Sequence, residues 1–376
     1  MTKKIFIVSA IIFAIAISAL IVSKVFLSEK GSSSLSIDNP FSDDEDDDEK
    51  EVESPSDAVI SKVLDREVKG VVLTGSSQLM FYNDQKVLST NFEGKKLKSL
   101  GAYPFVKVRD FDWHPKNEKA LVNDNGKYYT YFLKDNSARE FALNADVAKW
   151  DVFGDRVIYK KYDVNSSKRI IGVVNSSGEE QRTLVEDLPF KKVDFTVPQK
   201  KNFFCYFPTS DSLVSGNLIC VDVKSNEQKQ VHADSFGADY LLSPNGKKVL
   251  ISSAQKRGGN KLILGVMSLK GAEFQGLNFS TSVKKCVWAK DSKHIFCGAI
   301  NAIPGQAVMP NDWENKKYYS SDTFWKINTD NGKQTRLIDL EQTPGHLDGA
   351  NYFLDEKEKN LFFIERKSGH LYKVSL

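Results

Sequence analysis

DYLLSPNGKKVLIS, residues 239–252, reads as an apolar run, a short polar turn and a second apolar run. The same phrase returns as DFDWHPKNEKALV (110–122), KCVWAKDSKHIFCG (285–298) and NYFLDEKEKNLFFIE (351–365). In each copy the last apolar residue before the turn (Trp113, Leu242, Trp288, Leu354) stands seven positions before the start or middle of the next run. Weaker copies centre on Leu73, Val152 and Thr196, so that seven anchors are separated by 40, 39, 44, 46, 46 and 66 residues. Self-similarity at that period, with four short strands to a unit, is the mark of a ring of four-stranded blades. The expected fold is therefore all-β, a β-propeller.

Writing the units out gives blades over 69–101, 105–143, 146–187, 191–234, 237–279, 282–340 and 347–376. The last holds three strands, GANYFL, NLFFIE and HLYKVSL. AVISKVLD (58–65) has strand character and no partner of its own, and it is expected to supply the missing outer strand. Such a closure joins the two ends of the chain in one sheet and removes exposed strand edges. The count predicts seven blades. Blades 1 and 3 are the most weakly marked, leaving six or eight as alternatives.

Composition agrees with a folded β-protein: 41% hydrophobic and 27% charged residues, with 24 Phe and 13 Tyr. The net charge of +3 hides a split. Residues 38–53 hold ten acidic side chains against Lys50, and residues 1–37 hold four lysines against Glu29. Removing these five basic and eleven acidic residues from totals of 52 and 49 leaves 47 and 38, so 54–376 is about +9. A basic body of this kind suits solubility, and it also suits anionic partners such as envelope polymers. No nucleic-acid partner is expected.

The N-terminus predicts an anchor. After Lys3 and Lys4 come nineteen uncharged, mostly apolar residues, Ile5 to Ser23; Lys24 interrupts, and Val25-Phe26-Leu27 extends the run. About 20 apolar residues in a helix cross a bilayer core. The run exceeds the apolar region of a cleaved signal peptide and ends in no A-x-A site, so residues 1–30 are read as a cytoplasmic stub and uncleaved transmembrane signal anchor, a cleaved signal peptide being the alternative. Membrane contact is expected through residues 5–27. Lys3 and Lys4 favour an N-terminus inside and a body outside the cytoplasm. Residues 31–56, Ser-rich and then acidic (SDDEDDDEKEVE), read as a tether, and 57–376 as the propeller.

The four cysteines form two pairs, each within one expected hairpin. A four-residue turn at 290–293 places Cys286 opposite Cys297, and pairing Phe207 with Leu218 places Cys205 opposite Cys220. Opposed strand positions lie within disulfide range, so both pairs are candidate disulfides of an oxidising compartment, the alternative being small buried hydrophobes.

SPNGKKVLIS (243–252) followed by NKLILGVMSLKG (260–271) resembles the repeat of TolB-like, WD-repeat-like propellers, with Asn245 where those have Asp. HPKNEK (114–119) and AKDSKH (289–294) keep fragments of it. The resemblance implies a six- or seven-bladed ring that binds proteins and carries no universal catalytic residue.

No chemistry stands out. There is no G-x-S-x-G, and SSDTFW (320–325) lacks the glycine of a sialidase turn. Histidines 114, 232, 294, 346 and 370 are scattered singly, and NDNG (123–126) and NTDNG (328–332) read as hairpin turns. Asp110, Asp112, Asp194 and Asp239 fall on or beside innermost strands without a common register. No catalytic, cofactor or metal residue is assigned. An unrecognised central site, of a carbohydrate-active or other hydrolytic propeller, is the alternative. One segment breaks the repeat: NAIPGQAVMPNDWENKKYYSSD, 301–322, lies between the second and third strands of blade 6. Exposed Trp, Tyr and Met are concentrated at protein interfaces. Met309, Trp313, Lys316, Lys317, Tyr318 and Tyr319, with Lys256 and Arg257 of the neighbouring loop, are therefore the candidate partner-binding residues; a self-packed loop is the alternative. The function expected is a non-enzymatic protein-interaction or scaffold module of a cell envelope.

Overall fold

The computed structural model describes residues 58–376, apart from 142, 143, 152 and 272. The expected anchor and tether, and the expected anchor residue Val152, lie outside the described residues. No helix among the described residues is long and apolar enough to cross a membrane. Twenty-eight strands, β1 to β28 in chain order, form seven antiparallel four-stranded sheets. Six blades run in sequence over 69–102, 108–140, 147–185, 193–236, 239–276 and 286–338. The seventh takes β26 to β28 from 349–375 and completes itself with β1 (Val59–Leu64), which pairs with β28 (Leu371–Ser375) from Val59↔Ser375 to Leu64↔Leu371.

The seven-residue spacing has a direct structural cause. Trp113 pairs with Ala120, Leu242 with Val249, Trp288 with Ile295 and Leu354 with Leu361, each across a four-residue turn. In blade 3 the same place belongs to Trp150, which pairs with Val157, so Trp150 rather than Val152 is that blade's anchor. The fourth residue after every one of these five anchors (Asn117, Gly154, Gly246, Ser292, Glu358) has φ between 54° and 75°. Its N–H donates to the carbonyl three residues earlier in each case. The turn demands a left-handed residue, which is why Gly or Asn suits it, and Ser292 and Glu358 carry a cost of about 1 kcal/mol there.

Anchors also join blades. The indole N–H of Trp113 donates to Gly70 O (2.6 Å), that of Trp150 to Asp112 O (3.0 Å), and that of Trp288 to Leu241 O (3.1 Å), each on the innermost strand of the preceding blade. Aromatic bodies are thereby buried while their one polar atom is satisfied. Seven apolar clusters lie between successive blades, including the pair that closes the ring, where Leu79, Phe81 and Phe92 meet Phe362 and Leu371. An eighth cluster belongs to the insert in blade 6.

Candidate functional site on the loop face

Strand alternation puts the between-blade loops and the second-to-third-strand loops on one face of the ring. Those second-to-third-strand loops differ widely in length. In blade 2 only Asn125-Gly126 connects the strands, with φ of 52° and 91°, a tight hairpin turn. In blade 6 the connection runs from 302 to 320, between β23 (His294–Asn301) and β24 (Ser321–Asn328).

The long connection folds inward around one helical turn, Asn311–Glu314. Met309 and Trp313 are 0% and 1% exposed, packed with Ala254, Leu262, Ile300 and Ala307. They are not surface anchors, which corrects the expectation drawn from their residue types: apolar area that could have met a partner is already spent on the ring beneath. The Asn311 amide donates to Asp211 (2.7 Å), and its carbonyl accepts from the Ser212 N–H (2.9 Å), which reaches blade 4. Met309 N–H donates to Gly259 O (2.9 Å) on blade 5. Glu314 lies 2.8 Å from Lys284, beside the innermost strand of blade 6. Of the other expected residues, Lys316, Lys317, Tyr319, Lys256 and Arg257 are exposed and Tyr318 is half-buried. Lys317 pairs with Asp312 (2.7 Å), and Arg257 Nε donates to Leu213 O (3.1 Å).

Beneath the insert is a buried charged group that the sequence did not reveal. Lys285 Nζ lies 2.6 Å from both Asp322 Oδ2 and Asp348 Oδ1. All three side chains are at most 1% exposed. Arg366 donates to Asp348 Oδ2 (2.8 Å), its guanidinium carbon sitting 3.9 Å from the Trp313 ring centre. The Trp313 indole N–H donates to Asp348 as well (3.0 Å). Burial pushes the Asp322 carboxyl upward, with Lys285 opposing it. Burial acts on Asp348 too, but Lys285, Arg366 and the Trp313 indole hold it below its ordinary value. A lysine directly before the CVW strand, at the position where blades 2 and 5 carry Asp110 and Asp239, was the one available signal.

The remainder of this face is open. A cleft of about 680 Å³ lies between blades 3 and 4, lined by Val147, Lys160, Tyr162, Arg169, Lys191 and Lys192 among others. Lys160 is buried on Asp146 and on Lys191 O. Arg169 lies over the Tyr162 ring at 6.0 Å, and among the described residues neither it nor Lys191 or Lys192 has a carboxylate partner. Tyr162, which lines the cleft, is exposed, and so is Val164 two residues further along the chain. The lining residues come from separate blades, so only the KK pair at 191–192 hinted at them.

The carboxylates expected near the axis do not assemble into one site. Burial raises Asp112 to about 6, despite Lys149. Asp239 is also pushed up by burial and lies 3.5 Å from Lys284. Burial would depress Lys284, but Asp239, Glu314 and Asp194 hold it above its usual value. No three His, Cys, Asp or Glu side chains gather as a metal site among the described residues. Each histidine has a local partner: His114 on Gly154 O, His232 on Tyr240, His294 on Asp291, His346 on Ser321 and His370 on Asp65. The cysteines stand in register, Cys205 against Cys220 and Cys286 against Cys297, with sulfurs 1.96 and 2.10 Å apart.

No protein-family model matches this sequence, and no curated protein matches it. Solved structures do resemble it in shape. An oligogalacturonate lyase in complex with manganese is 12% identical, covers 86% of this chain and 91% of its own, and has a TM-score of 0.56. The β-propeller domain of Cps50 (Swd1) from Myceliophteria thermophila is 10% identical, covering 85% and 100%, with a TM-score of 0.53. A putative TolB from Agrobacterium tumefaciens is 16% identical over 65% and 84%, with a TM-score of 0.44. At such identities the shared property is the fold. The chain is a seven-bladed β-propeller.

Proposed function

We propose that this chain is a membrane-anchored, extracytoplasmic propeller that works as a non-enzymatic interaction module of a cell envelope. Its partner is a protein, and it docks on the open half of the loop face. The observation that carries this reading is the cleft between blades 3 and 4, where among the described residues Arg169, Lys191 and Lys192 lack carboxylate partners and Tyr162 and the adjacent Val164 stand exposed. Interfaces combine exposed apolar anchors with uncompensated charge, and the charge sets which partner is attracted. The apolar run of residues 5–27 supports anchoring, and the paired cysteines support an oxidising compartment.

Site-specific photo-crosslinking of the full chain in its native membrane tests this. A crosslinker at Tyr162 or Val164 should trap one protein, and Arg169→Glu with Lys191→Glu and Lys192→Glu should abolish the trapping. A crosslinker at Lys200, exposed on the opposite face, should trap nothing comparable. Equal trapping from Lys200, or indifference to the charge reversals, overturns the docking assignment. Cleavage of oligogalacturonate by the purified chain would overturn the non-enzymatic reading.

A further inference from the structure

Lys285, Asp322 and Asp348 stand in a geometry that suits covalent bond formation as well as ion pairing. We propose that Lys285 and Asp322 condense within the folded chain to an amide, a cross-link from the innermost strand region of blade 6 to its third strand, with Asp348 and Ser320 moving the proton. Lys285 lies just before the sixth blade's innermost strand, whereas Asp322 is the second residue of β24. The loop face of the ring brings the two together across 37 residues of chain.

Every atom the condensation needs has a place. Lys285 Nζ is 2.6 Å from Asp322 Oδ2, beside the carboxyl carbon it must attack. Asp348 Oδ1, also 2.6 Å from Nζ, accepts the proton that converts the ammonium to a nucleophilic amine. Ser320 Oγ is 2.9 Å from Asp348 Oδ1 and 2.7 Å from Asp322 Oδ1, so its hydroxyl bridges the two carboxyl groups. Two protons pass in turn from the lysine nitrogen by way of Asp348 and Ser320 to Asp322 Oδ1, one before the attack and one after it. Meanwhile Asp322 Oδ2, where negative charge develops during attack, accepts from the Gly349 N–H (2.8 Å) and the Tyr352 hydroxyl (3.2 Å). The C–N bond forms, the C–Oδ1 bond breaks, and Oδ1 leaves as water carrying both protons of the ammonium that the amide does not keep. No oxidant, activated ester or cofactor is required.

The surroundings favour the forward direction. Lys285 and Asp322 are fully buried, so bulk water is kept from the amide once it has formed. A buried ion pair is costly in desolvation, and a neutral amide removes two of the four charges. What is left, Asp348 with Arg366 and the Trp313 indole, is a satisfied one-to-one pair. Reacting groups held in contact by a rigid fold also behave as if present at roughly 10⁵–10⁸ M. Burial, which favours the uncharged carboxyl of Asp322, acts in the same direction.

Peptide mapping of the full chain by tandem mass spectrometry decides the matter. The expected result is a branched peptide joining Lys285 to Asp322, lighter by one water than its two components together. It should be absent from Lys285→Arg and Asp322→Ala chains, and Asp348→Asn should slow its appearance after synthesis while Tyr352→Phe slows it less. Linear peptides containing unmodified Lys285 and Asp322, with no branched species in the wild-type chain, overturn the proposal whatever the variants do. So does a branch at any other lysine or carboxylate. This outcome is independent of the crosslinking result above, because neither residue faces the open cleft.

Discussion

The covered and open halves of the loop face are made from the same repeat yet spend their side chains in opposite ways. Over blades 5 to 7 the insert lays Met309 and Trp313 onto the ring, and every charge beneath it is paired. Over blades 3 and 4 the loops are shorter and a cleft remains, lined by Arg169, Lys191 and Lys192, which have no carboxylate partner among the described residues. Residue type alone does not separate the two regions, since Lys and Tyr occur in both: Lys316, Lys317, Tyr318 and Tyr319 in the covered one, Tyr162, Lys191 and Lys192 in the open one. Loop length separates them. A connection long enough to fold back can bury its own aromatic residues, and a short one must leave them at the surface or do without them.

The comparison predicts unequal responses to substitution. Asp348→Ala should have the largest effect, because it strands Arg366 as a buried cation and removes the acceptor of the Trp313 indole; a loss of about 3–5 kcal/mol is expected by chemical unfolding. A loss under 1 kcal/mol would mean that water enters the covered half and that the contrast is false. Trp313→Ala should cost roughly 3–4 kcal/mol, from its fully buried volume and the lost indole bond to Asp348. By the same logic, deleting 301–322 should destabilise blades 4 to 7, so the segment is not a removable appendage.

Asp112 offers a smaller, pH-dependent test near the axis. Its carboxyl is raised from an ordinary 3.8 to about 6, so the folded chain holds a proton that the unfolded chain has released between those values. Stability from this group is therefore present below pH 4 and lost as pH rises through 6. Asp112→Asn should exceed wild type by roughly 1–2 kcal/mol at pH 7 and match it at pH 4, read from paired denaturant curves. The smallest stability effect belongs to the open half. Lys191→Glu with Lys192→Glu should change unfolding by less than about 0.5 kcal/mol while removing partner crosslinking. A large loss of stability there would show that these cations support the fold rather than a partner.

The legibility of the ring and of its site differs for a physical reason. Trp113, Leu242, Trp288 and Leu354 announce the architecture because a four-residue turn fixes the pairing of residue i with i+7 wherever it occurs. Blade 3 was misplaced by two residues, at Val152 instead of Trp150, where the sequence offers an apolar residue on either side of Asp151 and only pairing with Val157 selects between them. AVISKVLD was readable as the outer strand of blade 7 because the repeat left one vacancy, and β1 fills it. The register of both cysteine pairs was readable for the same reason: local hairpin geometry sets which positions oppose.

Contacts between blades were not readable. Lys285, Asp322, Asp348 and Arg366 are separated by between 18 and 63 residues along the pairs that touch, and nothing in their local sequence marks them as neighbours. Arg169 and the Lys191-Lys192 pair meet across a blade boundary in the same way. The sequence by itself determined the periodic part of this protein, the repeat of four-stranded units, the closing strand and the hairpin registers, because each depends on interactions within a few residues or on a repeat counted along the chain; the tertiary structure decided between six, seven and eight blades. The tertiary structure alone decided which side chains of the irregular loop turn inward, which charges are sealed and which remain open, because those outcomes depend on what the folded ring happens to place beneath each loop.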